Sequence, residues 1–536
     1  MEILKVDNLT FSYPNKDYKA IKDINLSVDE GDFVILSGYS GSGKTTLLKC
    51  LKPEIRPTGG IDGNISYNNE PLDDYEPKTI AKDIGYLFQE PSSQIVTDKV
   101  INELAFSMEN LGFKQDLMER RIAELSSYFG LEALLDKNTS ELSGGQMQML
   151  NLASILTLSP KLLLLDEPTA MLDPVASESF INMVKRINKE LGITIVYSTH
   201  EYSRLLDIAD KMLFLKNGEV ISKGDCYSAL KCLIETDNLD LANANLRIWN
   251  YYNQKGDVPK SLLELRGLLK EEYKIVSKET VEESSKTDTV TKDSSKPETT
   301  TKENSKLKSV IKLKNAYFRY NKNSNDILKE MTFNVNESEV ISIVGANGSG
   351  KSTLLGLING SYKAYSGKVK ILGESKLMPQ LPELIFTKDK VKDMLSDYAI
   401  SLAPDFYDKY KDEHPYDLSG GEKGLLAFLI LVDSKADILL LDEPSKGMDK
   451  GQKQLLIDYI AAYKADNKTV VIATHDLNFA AKVSDKIAMI FDKRLIGLTN
   501  PKDFYKSNIY YKTYISRAMT DIDDDIYLEE QIYASK

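Results

Sequence analysis

Two short stretches limit what this chain can become. Residues 38–46 read GYSGSGKTT and residues 345–353 read GANGSGKST. Each follows a β-branched run, FVILS at 33–37 or VISIV at 340–344, and each precedes an apolar helical run. Both fit G-x-x-x-x-G-K-[ST], in which glycines let backbone N–H groups turn inward around a phosphate at a helix N-terminus. Strand, glycine loop and helix in this order predict an α/β fold, and the repetition predicts two such domains. Gly38, Ser40, Gly41, Ser42 and Gly43 make the first cradle, with Lys44 reaching terminal phosphates, Thr45 offering a hydroxyl to Mg²⁺, and Thr46 beside it. Gly345, Asn347, Gly348, Ser349, Gly350, Lys351, Ser352 and Thr353 make the second.

The rest of the chain repeats as well. Asn8, Tyr13 and Lys44 align with Asn315, Tyr320 and Lys351 at one constant offset; Leu142, Asp166 and His200 align with Leu418, Asp442 and His475 at a smaller one. The second copy has therefore lost residues between its phosphate loop and Leu418. The copies fall at 1–235 and 308–505. Residues 236–270 carry Leu262, Leu265, Leu268 and Leu269 at helical spacing and read as a helical extension packed on a domain. Residues 271–307 are rich in Ser, Thr, Lys and Glu and read as a disordered, low-complexity linker. Residues 506–536 read as an acidic C-terminal tail, a solvated extension.

Composition narrows the function. The formal net charge is −12, which argues against a nucleic-acid surface as the main role, because phosphate backbones call for clustered Lys and Arg. No apolar run is long enough to cross a bilayer and no N-terminal signal pattern stands out, so a soluble protein is expected, with any membrane role by docking. Cys50, Cys226 and Cys232 show no metal-like spacing, as in a reducing cytosol.

Further motifs fall between the loops. Tyr13 and Tyr320 end a first strand and can stack on a base. Gln89 and Gln380 stand at a strand end, where a carboxamide can ligate Mg²⁺ or a water. LSGGQ at 142–146 and LSGGE at 418–422 place Ser143, Gly144, Gly145 and Gln146, or Ser419, Gly420, Gly421 and Glu422, at a second anion-binding helix start. LLLLDEP at 162–168 is a buried strand ending in two acids. Asp166 suits Mg²⁺, and Glu167 can polarise an attacking water; Asp442 and Glu443 repeat them. His200 and His475 follow a further strand and can orient that water.

In this order, and twice over, these residues resemble the ATP-binding cassette ATPases. The resemblance implies ATP and Mg²⁺ as cofactors, and two tandem P-loop domains, each with a parallel-sheet core, an antiparallel β part and a helical part. It implies that two cassettes pair within one chain, each ATP lying between one phosphate loop and the other's LSGG: Lys44 with Ser419 and Gly421, Lys351 with Ser143 and Gly145. Glu167 and Glu443 match the family's catalytic base, His200 and His475 its switch histidine, Asp173 and Asp449 its D-loop. Where the family often has Arg after LSGGQ, Met149 and Leu425 stand here. Residues 89–98 (QEPSSQIVTD) and 100–112, with 379–386 in the second copy, look like the ATPases of energy-coupling factor importers of vitamins and metals. That family implies a transmembrane scaffold partner, a small substrate-binding membrane subunit, and a peripheral place on the cytoplasmic face of the membrane. Pro91, Ile95, Pro382 and Ile385 are the expected apolar docking contacts. A ribosome-associated two-cassette ATPase, a fused sugar-importer ATPase and a dimer that binds ATP without turnover are the alternatives.

Overall fold

The computed structural model describes residues 1–14, 18–254, 256–284, 308–322 and 324–534. They form two compact units, Met1–Asn250 with Gly256–Ser261, and Tyr251–Lys255 with Leu262–Lys536.

In the first unit six strands stand in the order Glu219–Asp225, Lys211–Lys216, Phe33–Gly38, Thr194–Ser198, Leu162–Asp166, Ile84–Leu87. All neighbours run parallel except the first pair. FVILSG, TIVYS and LLLLD are buried at every residue, as strands covered on both faces must be. A parallel sheet sends all its carboxyl ends to one edge, so the segments following Gly38, Leu87, Asp166 and Ser198 leave it together. A second, antiparallel sheet is built from Ile21–Asp29, Glu2–Ser12, Gly60–Tyr67 and Glu70–Pro71. Helices Val100–Asn110, Gln115–Phe129 and Gly144–Leu156 make the helical part.

The second unit repeats this plan. Its core order is Ser375–Met378, Ile438–Asp442, Thr469–Thr474, Val340–Val344, Lys486–Phe491, Arg494–Thr499, antiparallel only at the last pair. The antiparallel sheet keeps three strands, Leu328–Asn336, Ser309–Phe318 and Ser366–Ile371. About half of the shortening seen in the sequence is located here, and the rest in the helical part, where Asp397–Leu402 and Pro404–Tyr410 stand in place of Val100–Asn110 and Gln115–Phe129. The first unit inserts the strand Glu70–Pro71 and the helix Pro77–Asp83 before its Ile84–Leu87 strand; the second passes almost directly from Ser366–Ile371 to Ser375–Met378.

The ends of the copies differ from the sequence expectation. The first unit continues past 235, burying Leu246, Ile248 and Trp249. A helix, Leu262–Ser284, runs well into the segment expected to be disordered. Leu265 and Leu269 are buried one turn apart, and the Glu- and Lys-rich residues after them are good helix formers. The rest of that expected linker, 285–307, lies outside the described residues. The acidic end is not a solvated tail. Helices Tyr514–Met519 and Glu529–Ala534 form there, and Ile515, Met519, Ile526 and Ile532 are buried. The acids that dominate its composition sit on the outside, Asp525 pairing with Lys502 at 2.8 Å and Lys506 at 3.0 Å. Its last two residues lie outside the described ones. No helix among the described residues is long and apolar enough to cross a membrane.

Candidate active sites

At Gly38 the chain leaves the central strand with φ 150°, and a Cβ there would lie 2.2 Å from Leu215 O. Gly43 opens the helix Lys44–Cys50 at φ 103°, where a Cβ would meet Ala20 O at 2.7 Å. Only glycine fits either place. Inside this tight loop the buried Lys44 folds back: Nζ donates to Gly38 O at 3.0 Å and Tyr39 O at 2.9 Å, and pairs with Glu167 at 3.1 Å. Ser42 Oγ is buried with no hydrogen-bond partner, as is Ser349 Oγ at the matching place. Each loop thus keeps a hydroxyl donor for an anion. Tyr13 OH lies 3.1 Å from Thr46 Oγ1, and its ring meets Phe11 edge-on.

The two acids of the LLLLD strand are held differently. Asp166 Oδ1 accepts from Thr45 Oγ1 at 3.0 Å and Ser198 Oγ at 2.9 Å; Oδ2 accepts from Tyr86 OH at 3.1 Å. Burial and the neighbouring Glu167 charge push the Asp166 carboxyl up. Glu167 has φ 41° and donates its N–H to Ser198 Oγ at 2.9 Å. Its carboxylate lies between Lys44 and His200 Nδ1, the latter at 3.5 Å. Burial alone would raise its pKa, but His200 and Lys44 outweigh burial and bring it down to about 2.

The second unit repeats the constellation. Lys351 Nζ donates to Gly345 O at 2.9 Å and Ala346 O at 3.3 Å, and pairs with Glu443 at 3.4 Å. Glu443 has φ 51°; its Oε2 lies 2.8 Å from His475 Nδ1 and accepts the His475 N–H at 3.2 Å. Again burial raises this carboxyl, and His475 and Lys351 more than reverse it. Tyr320 OH lies 2.9 Å from Thr353 Oγ1. Burial pushes the Asp442 carboxyl up against the opposing pull of the Ser352 hydroxyl, and its Oδ1 is buried with no hydrogen-bond partner. A hydroxyl beside a carboxylate at each loop suits magnesium, which takes oxygen ligands and keeps several waters. Thr45 and Asp166, or Ser352 and Asp442, would hold it. Gln89 follows its strand half-buried, and Gln380 is exposed.

The other motif residues begin helices. Ser143 with Gln146, and Ser419 with Glu422, form capping boxes on Gly144–Leu156 and Gly420–Asp433. Asp173 caps Pro174–Leu191, and Asp449 caps Lys450–Ala465. Two glutamines not singled out as site residues, Gln94 within 89–98 and Gln148 beyond LSGGQ, brace the segments that follow the Ile84–Leu87 and Leu162–Asp166 strands. Gln94 accepts the Phe88 N–H at 3.1 Å and donates to Tyr86 O at 3.2 Å; Gln148 donates to Pro168 O at 3.1 Å. A glutamine in the otherwise apolar run just after LSGGQ was the available signal for Gln148. Of the four expected docking contacts, Ile95 and Pro382 are half-buried and two are engaged within their own unit. Pro91 is buried, its carbonyl accepting from Asn151 Nδ2 at 2.8 Å, and Ile385 packs against the unit's own core. Within 89–98 and 379–386 the exposed large apolar side chains are Val96, Leu381 and Leu384.

Two phosphate loops, each joined through its lysine to a glutamate–histidine pair at the carboxyl edge of a parallel sheet, define a tandem P-loop ATPase. The family model described as ABC transporter matches residues 21–170 and 328–446. A putative ABC transporter ATP-binding protein of Bacillus cereus is 36% identical, over 96% of this chain and 94% of its own length. One of Methanosarcina acetivorans is 27% identical, over 91% of this chain and 84% of its own. The chain belongs to the ABC transporter family, and hydrolyses ATP with Mg²⁺. Among solved structures, an archaeal ribosome recycling factor, aABCE1, in complex with the stalk protein aP1, has a TM-score of 0.57 at 19% identity, covering 93% of this chain and 91% of that one. That likeness is one of fold. The structure of cbiO1 from Clostridium perfringens, described as part of the ABC transporter complex cbiONQ, has a TM-score of 0.40 at 30% identity, covering 47% of this chain and 99% of that one.

Proposed function

We propose that this chain is the ATPase subunit of an energy-coupling factor type importer and energises uptake of a vitamin, vitamin precursor or metal ion. The observation that carries this reading is the segment after each strand-end glutamine. Its sequence looks like that importer class, and it presents Val96 in one unit and Leu381 and Leu384 in the other to solvent, with Leu384 72% exposed. Exposed aliphatic groups on an ordered loop suit an apolar partner. The relatives' description as transporter ATP-binding proteins supports a membrane partner.

In the cycle proposed, arriving phosphates take Lys44 and Lys351 away from the carboxylates they now hold. Glu167 and Glu443 are then left with His200 and His475, free to draw a proton from the attacking water. The chain works at the cytoplasmic face, bound to a transmembrane scaffold beside a small substrate-binding membrane subunit.

The test is purification of the full chain with its membrane partners in mild detergent. A scaffold protein and a small membrane subunit are expected. Leu381→Glu with Leu384→Glu should cut their recovery about tenfold or more, since two charges then face an apolar contact, and leave ATP binding unchanged. Recovery of ribosomal proteins in place of membrane proteins would contradict the reading.

A further inference from the structure

Sheet register puts different residues beside the two magnesium acids. Ser198 stands across from Asp166, but Ala473 stands across from Asp442. Tyr86 pairs with Leu164, but Leu377 pairs with the equivalent Leu440. In the first unit one serine hydroxyl therefore ties both acids together, donating to Asp166 and accepting from the Glu167 N–H, while the Tyr86 phenol holds the other Asp166 oxygen. In the second unit both donors are replaced by hydrocarbon. The Glu443 N–H turns instead to Ala473 O at 2.8 Å, and Asp442 Oδ1 is left buried without a partner.

We propose that the two ATP sites differ in their hold on magnesium, with Ser198 and Tyr86 acting as positioning residues for Asp166 that have no counterpart at Asp442. This rests on the reading of Asp166 and Asp442 as the carboxylates beside the metal. A buried carboxylate oxygen without donors carries a desolvation cost that a cation relieves. At the second site the metal removes that cost. At the first, three hydroxyl groups already satisfy the carboxylate, and the metal must compete with them. The second site therefore fills with magnesium at lower concentration.

The test isolates each site in the full chain: Lys44→Ala leaves the second, Lys351→Ala the first. Binding of a fluorescent, non-hydrolysable ATP analogue is followed as Mg²⁺ is titrated, and Mn²⁺ bound beside the analogue is counted by electron paramagnetic resonance. Half-saturating metal should be about tenfold lower in Lys44→Ala, as expected for one unsatisfied buried acceptor. Adding Ser198→Ala and Tyr86→Leu to Lys351→Ala should lower it toward that value, in both the analogue titration and the Mn²⁺ count. Adding the milder Ala473→Ser to Lys44→Ala should raise it. Equal metal dependence in the two single-site proteins, or no response to either exchange, would overturn the proposal. A metal dependence that survives Asp442→Asn would overturn the assignment of the carboxylates themselves, a separate failure.

Discussion

Glu167 and Glu443 occupy left-handed backbone, at φ 41° and 51°, which costs a non-glycine residue about 1–3 kcal/mol. The cost is met because each N–H is bonded across the sheet, to Ser198 Oγ or Ala473 O. The turn separates two consecutive acids, so that one meets the Thr or Ser hydroxyl and the other meets lysine and histidine. Gly38 shows the opposite restriction. Gly38→Ala should lower stability by at least about 1 kcal/mol, read as an earlier unfolding midpoint of the single Trp249, which is buried in the same unit. Gly60→Ala is the control: nothing lies within 4 Å of its added Cβ, and the change should be neutral or stabilising by up to about 1 kcal/mol. The phosphate-loop residues, both acid pairs and both histidines were legible in the sequence because each motif is contiguous. Ser198, Tyr86 and Gln94 were not. They are ordinary residues of strands or loops, and their bonds depend on which strands lie side by side.

At the scale of elements, the carboxyl edge of each parallel sheet gathers segments more than a hundred residues apart. This was readable from the buried runs and the loops that follow them. The acidic C-terminal stretch was not, because its carboxylates masked a sparse set of apolar positions. Ile532 is fully buried, and Ile532→Ala should cost about 2–5 kcal/mol, seen as faster amide exchange in the helix Tyr514–Met519. Asp524 is exposed, and Asp524→Asn should stay within about 0.5 kcal/mol by the same measurement. If the acid mattered and the isoleucine did not, the stretch would be an electrostatic extension after all.

At the scale of the molecule, each unit keeps its own phosphate loop, acid pair and histidine. Duplication and family were legible from repeated motifs; the unequal support of Asp166 and Asp442 was visible only in the folded sheets. In the mechanism proposed, Glu167 and Glu443 each serve one working site. Steady-state ATP turnover and retained nucleotide should therefore be measured for Glu167→Gln, Glu443→Gln and the double variant. The double variant should lose turnover by about 10²-fold or more while still holding ATP; turnover equal to that of the unaltered chain would remove both glutamates from the role of base.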